Sequence, residues 1–170
     1  MIICKGKSEL DKMRKANLMV AKVLSHLETL IRPGLTTAEL DVVAEEMILD
    51  MGGQPAFKGY QGYPATLCVS VNEEIVHGIP GERRLIEGDI VGIDCGTNFK
   101  GFYGDSARTF AVGEISKEAK KLLDVTRESL YLGIKKVKVG NRISDISSSI
   151  QMFVEEHGFS VVREFVGHGI

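Results

Sequence analysis

Apolar residues recur at helical spacing through Leu10, Met13, Leu18, Val20, Val23, Leu24 and Leu27, which predicts a helix over 8–31. Ser8 is the candidate N-cap, with Asp11 three positions on as a weak capping-box partner. Pro33-Gly34 interrupts the pattern, and Thr36 or Thr37 can cap a second helix through Leu40, Val43, Ala44, Met47 and Ile48, stopped by Gly52-Gly53. The period then changes from helical to alternating. Residues 66–71, 89–97 and 102–112 are β-branched or aromatic runs bounded by turn residues, and read as strands. Ser116 caps a third helix to about Val137, a fourth covers 143–156 and ends at His157-Gly158, and 159–166 reads as a further strand.

This order contains a repeat. With Gly34 aligned to Gly140, an offset of 106, Glu39 meets Asp145, Leu40 meets Ile146, Met47 meets Phe153, Ile48 meets Val154 and Gly52 meets Gly158. The helix-break-helix-strand order repeats with the same offset, which predicts two halves built on one plan, an α+β arrangement. The first half, about 1–113, holds a strand hairpin after its second helix; the counterpart in the second half, about 114–170, would fall past Ile170.

Bulk properties narrow the class without deciding it. A chain of 170 residues is long enough for one domain with a core, and 44% apolar and 26% charged residues are ordinary for a globular protein. A net charge of -2 with no basic stripe argues against a nucleic-acid partner. No uncharged apolar run reaches membrane-spanning length, and the first ten residues lack a signal-peptide core, so no membrane association and a cytoplasmic location are expected. Cys4, Cys68 and Cys95 are odd in number and lack CxxC spacing, which excludes a zinc ribbon and fits a reducing compartment.

The chemistry concentrates around the hairpin from Asp94 to Asp105. Asn98-Phe99-Lys100-Gly101 suits a two-residue turn with Asn98 and Gly101 at its ends, and that register faces Thr97 with Phe102 and Asp94 with Asp105. Two carboxylates directly opposed, with Cβ atoms roughly 5 Å apart, repel unless a divalent cation neutralises them. The plainer alternative is a pair of exposed aspartates flanking a turn, although Ile90, Val91 and Ile93 beside Asp94 favour burial. His168, between Gly167 and Gly169 after an apolar run, is a candidate third ligand or a structural histidine. His77, ahead of Gly78 and Pro80, can hydrogen-bond a substrate carbonyl or leaving nitrogen, or simply be an exposed loop residue. His26 and His157 lie on helices and read as structural. Phe57, Tyr60 and Tyr63 in a glycine-rich loop, with Cys68 on the next strand, can wall a small apolar pocket or merely cover the sheet edge.

Taken in order, Phe57-Lys58-Gly59-Tyr60-Gln61-Gly62-Tyr63-Pro64, the run from Cys68 through Asn72-Glu73-Glu74-Ile75-Val76-His77-Gly78-Ile79-Pro80, Gly88-Asp89-Ile90-Val91-Gly92-Ile93-Asp94, Tyr103-Gly104-Asp105 and Gly167-His168-Gly169-Ile170 resemble the type I methionine aminopeptidases, members of the pita-bread metallopeptidases. The match runs from the first helix to the last residue. The resemblance implies the pita-bread fold, two pseudo-symmetric helix-helix-strand halves, here with the second half incomplete. It implies two divalent ions (Co, Mn, Fe or Zn), with Asp94 chelating one, Asp105 bridging both and His168 ligating the other. The two glutamates that complete the family's set are expected past Ile170, so the chain as it stands is expected to be incomplete and not fully active. His77 matches a histidine at the scissile amide, with a catalytic and substrate-binding role, while Tyr60, Tyr63, Cys68 and the more variable Phe57 match the methionine pocket.

The implied reaction is release of an initiator methionine from nascent proteins when the next residue is small, by attack of a metal-bridging water or hydroxide on the scissile carbonyl. The implied partner is the N-terminal methionine of nascent chains, with the ribosome as a further candidate and a monomer expected. Two other readings stand beside it: a non-catalytic binding protein of this fold, and a proline-specific aminopeptidase, against which the 68–80 string argues.

Overall fold

The computed structural model describes residues 4–169, which form two compact units, 4–115 and 116–169. Met1 to Ile3, within the first ten residues read above for a signal peptide, and Ile170, the last residue of the Gly167-His168-Gly169-Ile170 motif, lie outside the described residues.

The first unit is built from two helices and an antiparallel sheet. Helix α1 spans Lys7–Leu30, helix α2 Thr37–Asp50, and the strands are β1 (Gln54–Pro55), β2 (Leu67–Val71), β3 (Ile90–Phe99) and β4 (Phe102–Ala111), with a 3-10 turn at Tyr60–Gly62. Ser8 is not the N-cap of α1. The cap lies two residues earlier, at Gly6, whose backbone N–H donates to the Glu9 carboxylate at 2.7 Å. Of the two threonines expected to cap α2, Thr36 does so, in a capping box: its hydroxyl accepts from Glu39 N at 3.2 Å, and the Glu39 carboxylate accepts from Thr36 N at 2.7 Å.

β3 is the hub of the sheet. It pairs with β4 along one edge and with β2 and β1 along the other. Strand alternation sends Val91, Ile93, Cys95 and Thr97 to one face. There, with Leu67, Val69 and Val71 of β2, the apolar side chains pack under Val20, Val23, Leu24 and Leu27 of α1 and Leu40, Ala44 and Ile48 of α2. Most of these are fully buried, and each such aliphatic side chain contributes about 1.5–3 kcal/mol relative to exposure. Gly104 lets α1 come down onto β4: a Cβ there would lie 2.6 Å from Asn17 N and 2.7 Å from Ala16 O. Beside it the buried Thr97 hydroxyl donates to Ala16 O at 3.0 Å. The helices therefore seal this face, and the residues of chemical interest project from the other.

The second unit contains α3 (Lys117–Lys135) and α4 (Ile143–Glu156). Ser116 caps α3 by accepting from Ala119 N at 3.0 Å, as its position predicted. The helices meet at Gly133, where a Cβ would be 2.8 Å from Ile150 Cδ1. Shifted by 106 positions, Thr37–Asp50 falls end to end on Ile143–Glu156, so the second helix of each repeat has the same bounds. The strand expected over 159–166 is absent. Among the described residues no other strand pairs with this segment, and Val162, Phe165 and Val166 are exposed. An apolar run supplies the side chains of a strand, but the ladder needs a neighbouring backbone.

Candidate metal and substrate site

The β3–β4 hairpin has a register two residues away from the one expected. Phe99 faces Phe102, leaving Lys100-Gly101 as the loop, with φ of 54° and 82°. Both signs are those of a type I′ turn, whose twist matches that of the flanking strands. Lysine is a poor resident of a left-handed position, and Asn98 compensates from outside the loop: its Oδ1 accepts from Gly101 N at 3.0 Å. Consequently Asp94 faces Ala107, and Asp105 faces Gly96. The two aspartates are not directly opposed. They are diagonal neighbours on the same face, a separation of about 7 Å. A shift by an even number of residues changes the pairing and keeps the face.

That face is assembled by three neighbours of β3. Cys68 of β2 stands directly across from Asp94, buried, so its thiol and the Asp94 carboxyl share a face. Burial pushes the Cys68 thiol up, and the charges of Asp94 and Asp105 push in the same direction. Cys95 lies on the helix side, where burial raises it to about 12. The Phe57 ring covers Gly96, the residue two along the strand from Asp94 and across from Asp105. The Phe57 segment is pinned by Ala56 N donating to Gly96 O at 2.9 Å and by Lys58 paired with Glu45 of α2 at 2.7 Å.

Tyr63 ties the loop to the strands. Its hydroxyl lies 2.9 Å from Leu67 O and 3.0 Å from Gly78 O, sharing one proton between them, and burial holds its pKa well above the ordinary phenol range. Gly78 lies against β2, with Val69 N donating to Gly78 O at 2.8 Å and Gly78 N to Ser70 Oγ at 3.2 Å. His77 precedes it in a left-handed conformation, φ 61°, and is exposed. Tyr60, at the start of the 3-10 turn, is also largely exposed. Thus Phe57, Tyr63, Cys68, Asp94 and Asp105 gather on or beside one sheet face, with His77 at its β2 margin. His168 belongs to the second unit; it is exposed, with Nδ1 3.2 Å from Gly169 O.

Among the described residues no three His, Cys, Asp or Glu side chains form a cluster able to hold a metal. What the first unit does offer is a pair of carboxylates on one face, and hard oxygen donors so placed fit a divalent cation as part of a ligand set.

Two residues of this region carried no recognisable signal in the sequence. Asp41, on α2, accepts from Leu67 N at 2.7 Å and Thr66 N at 3.0 Å, fixing the start of β2 one residue before Cys68. In sequence it reads as a surface carboxylate on a helix. Gly96 reads as a strand glycine, and only the fold shows which ring it admits.

Comparison with known proteins places this geometry in context. The profile of metallopeptidase family M24 matches residues 11–170. The chain is 55% identical over 170 residues to a methionine aminopeptidase of Clostridium perfringens, covering 100% of this chain and 68% of that protein. It is 54% identical, with the same coverage, to methionine aminopeptidase 1 of Bacillus subtilis. The crystal structure of a methionine aminopeptidase from Thermotoga maritima superimposes with a TM-score of 0.97 at 46% identity, covering 100% of this chain and 69% of that one. A prolidase from Pyrococcus furiosus, at 22% identity and a TM-score of 0.82 over 92% of this chain and 45% of its own, shares the fold alone.

Proposed function

We propose, from the premise that this chain belongs to metallopeptidase family M24, that it works as a methionine aminopeptidase on the open face of the first unit's sheet. The pita-bread fold, the family and the identity to methionine aminopeptidases along the whole chain support metal-dependent removal of an N-terminal methionine. The observation that carries the location is the diagonal pair Asp94 and Asp105, side by side with Cys68 and the Phe57 ring. Asp94, Asp105 and His168 would be ligands of divalent metal, two carboxylates and a neutral imidazole. When bound, such ions lower the pKa of an attacking water and polarise the scissile carbonyl.

The chain's own residues would do the rest. Phe57, Tyr63 and Cys68 present ring and thiol surface suited to an unbranched thioether side chain. Tyr60, exposed in the same loop, would join that wall, and His77 is offered as the hydrogen-bonding partner of the scissile amide. A small residue after the methionine, a nascent chain near the ribosome, a cytoplasmic location and a monomeric state complete the reading. The three free thiols support the reducing compartment. The shared bounds of α2 and α4 support one catalytic domain whose halves are about 1–113 and 114–170.

The test is hydrolysis of Met-Ala-Ser by the chain supplied with Mn(II) or Co(II), followed by liberation of free methionine. Turnover that disappears in Asp105→Ala supports the proposal. Turnover unchanged by that substitution, or preference for Ala-Pro over Met-Ala, defeats it.

A further inference from the structure

Gly96 sits at the point where the sheet's carboxylates and its apolar wall meet. It faces Asp105 across the hairpin and lies two positions from Asp94 along β3, so its missing side chain would project from their face. The space is filled by the Phe57 ring. A Cβ on Gly96 would lie 2.9 Å from Phe57 Cζ and 3.0 Å from Cδ1, and closer still to Cε1. No β-carbon approaches aromatic carbons so closely without displacing them, since carbon–carbon contacts have their optimum near 3.5–4.0 Å.

The ring has little freedom to yield while its backbone stays where it is. On one side Ala56 N is bonded to Gly96 O; on the other the next residue, Lys58, is held to Glu45. The Ala56 backbone is held by that bond and the Lys58 side chain tethers the following residue, so an added methyl at 96 displaces the ring from its place over Gly96. The glycine is also not demanded by backbone conformation: it has no positive φ, unlike Gly59 or Gly101. Its requirement is steric.

We infer that Gly96 is a specificity-determining position: by admitting the Phe57 ring beside Asp94 and Asp105, it sets one wall of the pocket that receives the substrate's N-terminal side chain. This rests on the aminopeptidase reading above for the identity of that side chain. The ring's place beside the carboxylates fixes how far an unbranched side chain extends before it meets carbon, which discriminates methionine from shorter and branched residues. One methylene's worth of such contact in an apolar pocket changes selection by about tenfold or more.

The experiment compares the unsubstituted chain, Gly96→Ala, Phe57→Ala and the double variant. Each is titrated with Mn(II), then with L-methionine in the presence of Mn(II), and assayed on Met-Ala-Ser. Expected are about tenfold weaker methionine binding in each single variant, a loss in KM rather than kcat, and unchanged Mn(II) affinity. The double variant is expected to match Phe57→Ala, because both substitutions act on one ring. Phe57→Ala introduces no clash and keeps the test alive if Gly96→Ala fails to fold; methionine affinity unchanged in Phe57→Ala overturns the inference. So do unchanged affinity in a folded Gly96→Ala, losses that multiply in the double variant, a parallel loss of Mn(II), and failure of the unsubstituted chain to bind methionine. Failure of the aminopeptidase reading is seen separately, as methionine binding without hydrolysis of Met-Ala-Ser.

Discussion

Replacing Asp41 by alanine removes the acceptor for two backbone N–H groups at the start of β2. Both belong to fully buried residues, Thr66 and Leu67, and they donate to the same oxygen at 3.0 and 2.7 Å. A buried donor left unpaired costs about 1–3 kcal/mol. Burial holds the Asp41 carboxyl above its ordinary range, outweighing the two amides that favour its charge. The environment therefore gives no premium for the charged form, and the lower part of the range applies to each bond. Asp41→Ala should cost about 2–4 kcal/mol, a melting temperature lower by about 4–16 °C for a chain of this size. Asp41→Asn keeps an oxygen acceptor in place and should cost less than about 1 kcal/mol.

The pH dependence separates the two effects. A carboxyl whose folded pKa exceeds its unfolded one keeps its proton longer in the native state. Its contribution is full below the unfolded value and declines as pH rises through the folded one. The unsubstituted chain should thus lose some stability between the ordinary carboxylate pKa and the raised value, and Asp41→Asn should not show that loss. Urea unfolding at a series of pH values measures both quantities. If Asp41→Asn proves as damaging as Asp41→Ala, or if Asp41→Ala is neutral, the backbone-anchor argument is wrong.

Gly104→Ala should destabilise by about 3 kcal/mol, since the new methyl meets the backbone of α1 rather than a movable side chain; a urea midpoint unchanged from the parent would contradict the close approach. Mn(II) at a hundredfold excess over its dissociation constant should raise stability by about 2.7 kcal/mol, seen by calorimetry, and Asp105→Ala should abolish the rise. Cys4 is exposed whereas Cys68 and Cys95 are buried, with both buried thiols raised. An aromatic disulfide reagent near pH 8 should titrate one thiol rapidly and all three only in urea, and rapid reaction of two or more in the folded chain would refute the burial.

The periodicity of residues 8–31 and 37–50 made α1 and α2 legible, because amphipathic helices carry their pattern locally, and the threonine cap of α2 needed no tertiary information. The ordered motifs likewise carried the family and the aspartates of interest. The sequence by itself therefore determined the helices, the three longer strands and the chemistry available. It did not determine how strands face one another. The two-residue shift of the β3–β4 register depends on Lys100 accepting a left-handed conformation, a local cost outweighed by ten paired positions that no window of sequence displays. The strand expected at 159–166 failed for the complementary reason, since a strand is a property of two backbones. Asp41 anchoring β2 and Gly96 admitting Phe57 belong to the tertiary structure alone: each joins residues 25 to 39 positions apart, and their meaning lies in distances that only the packed sheet creates.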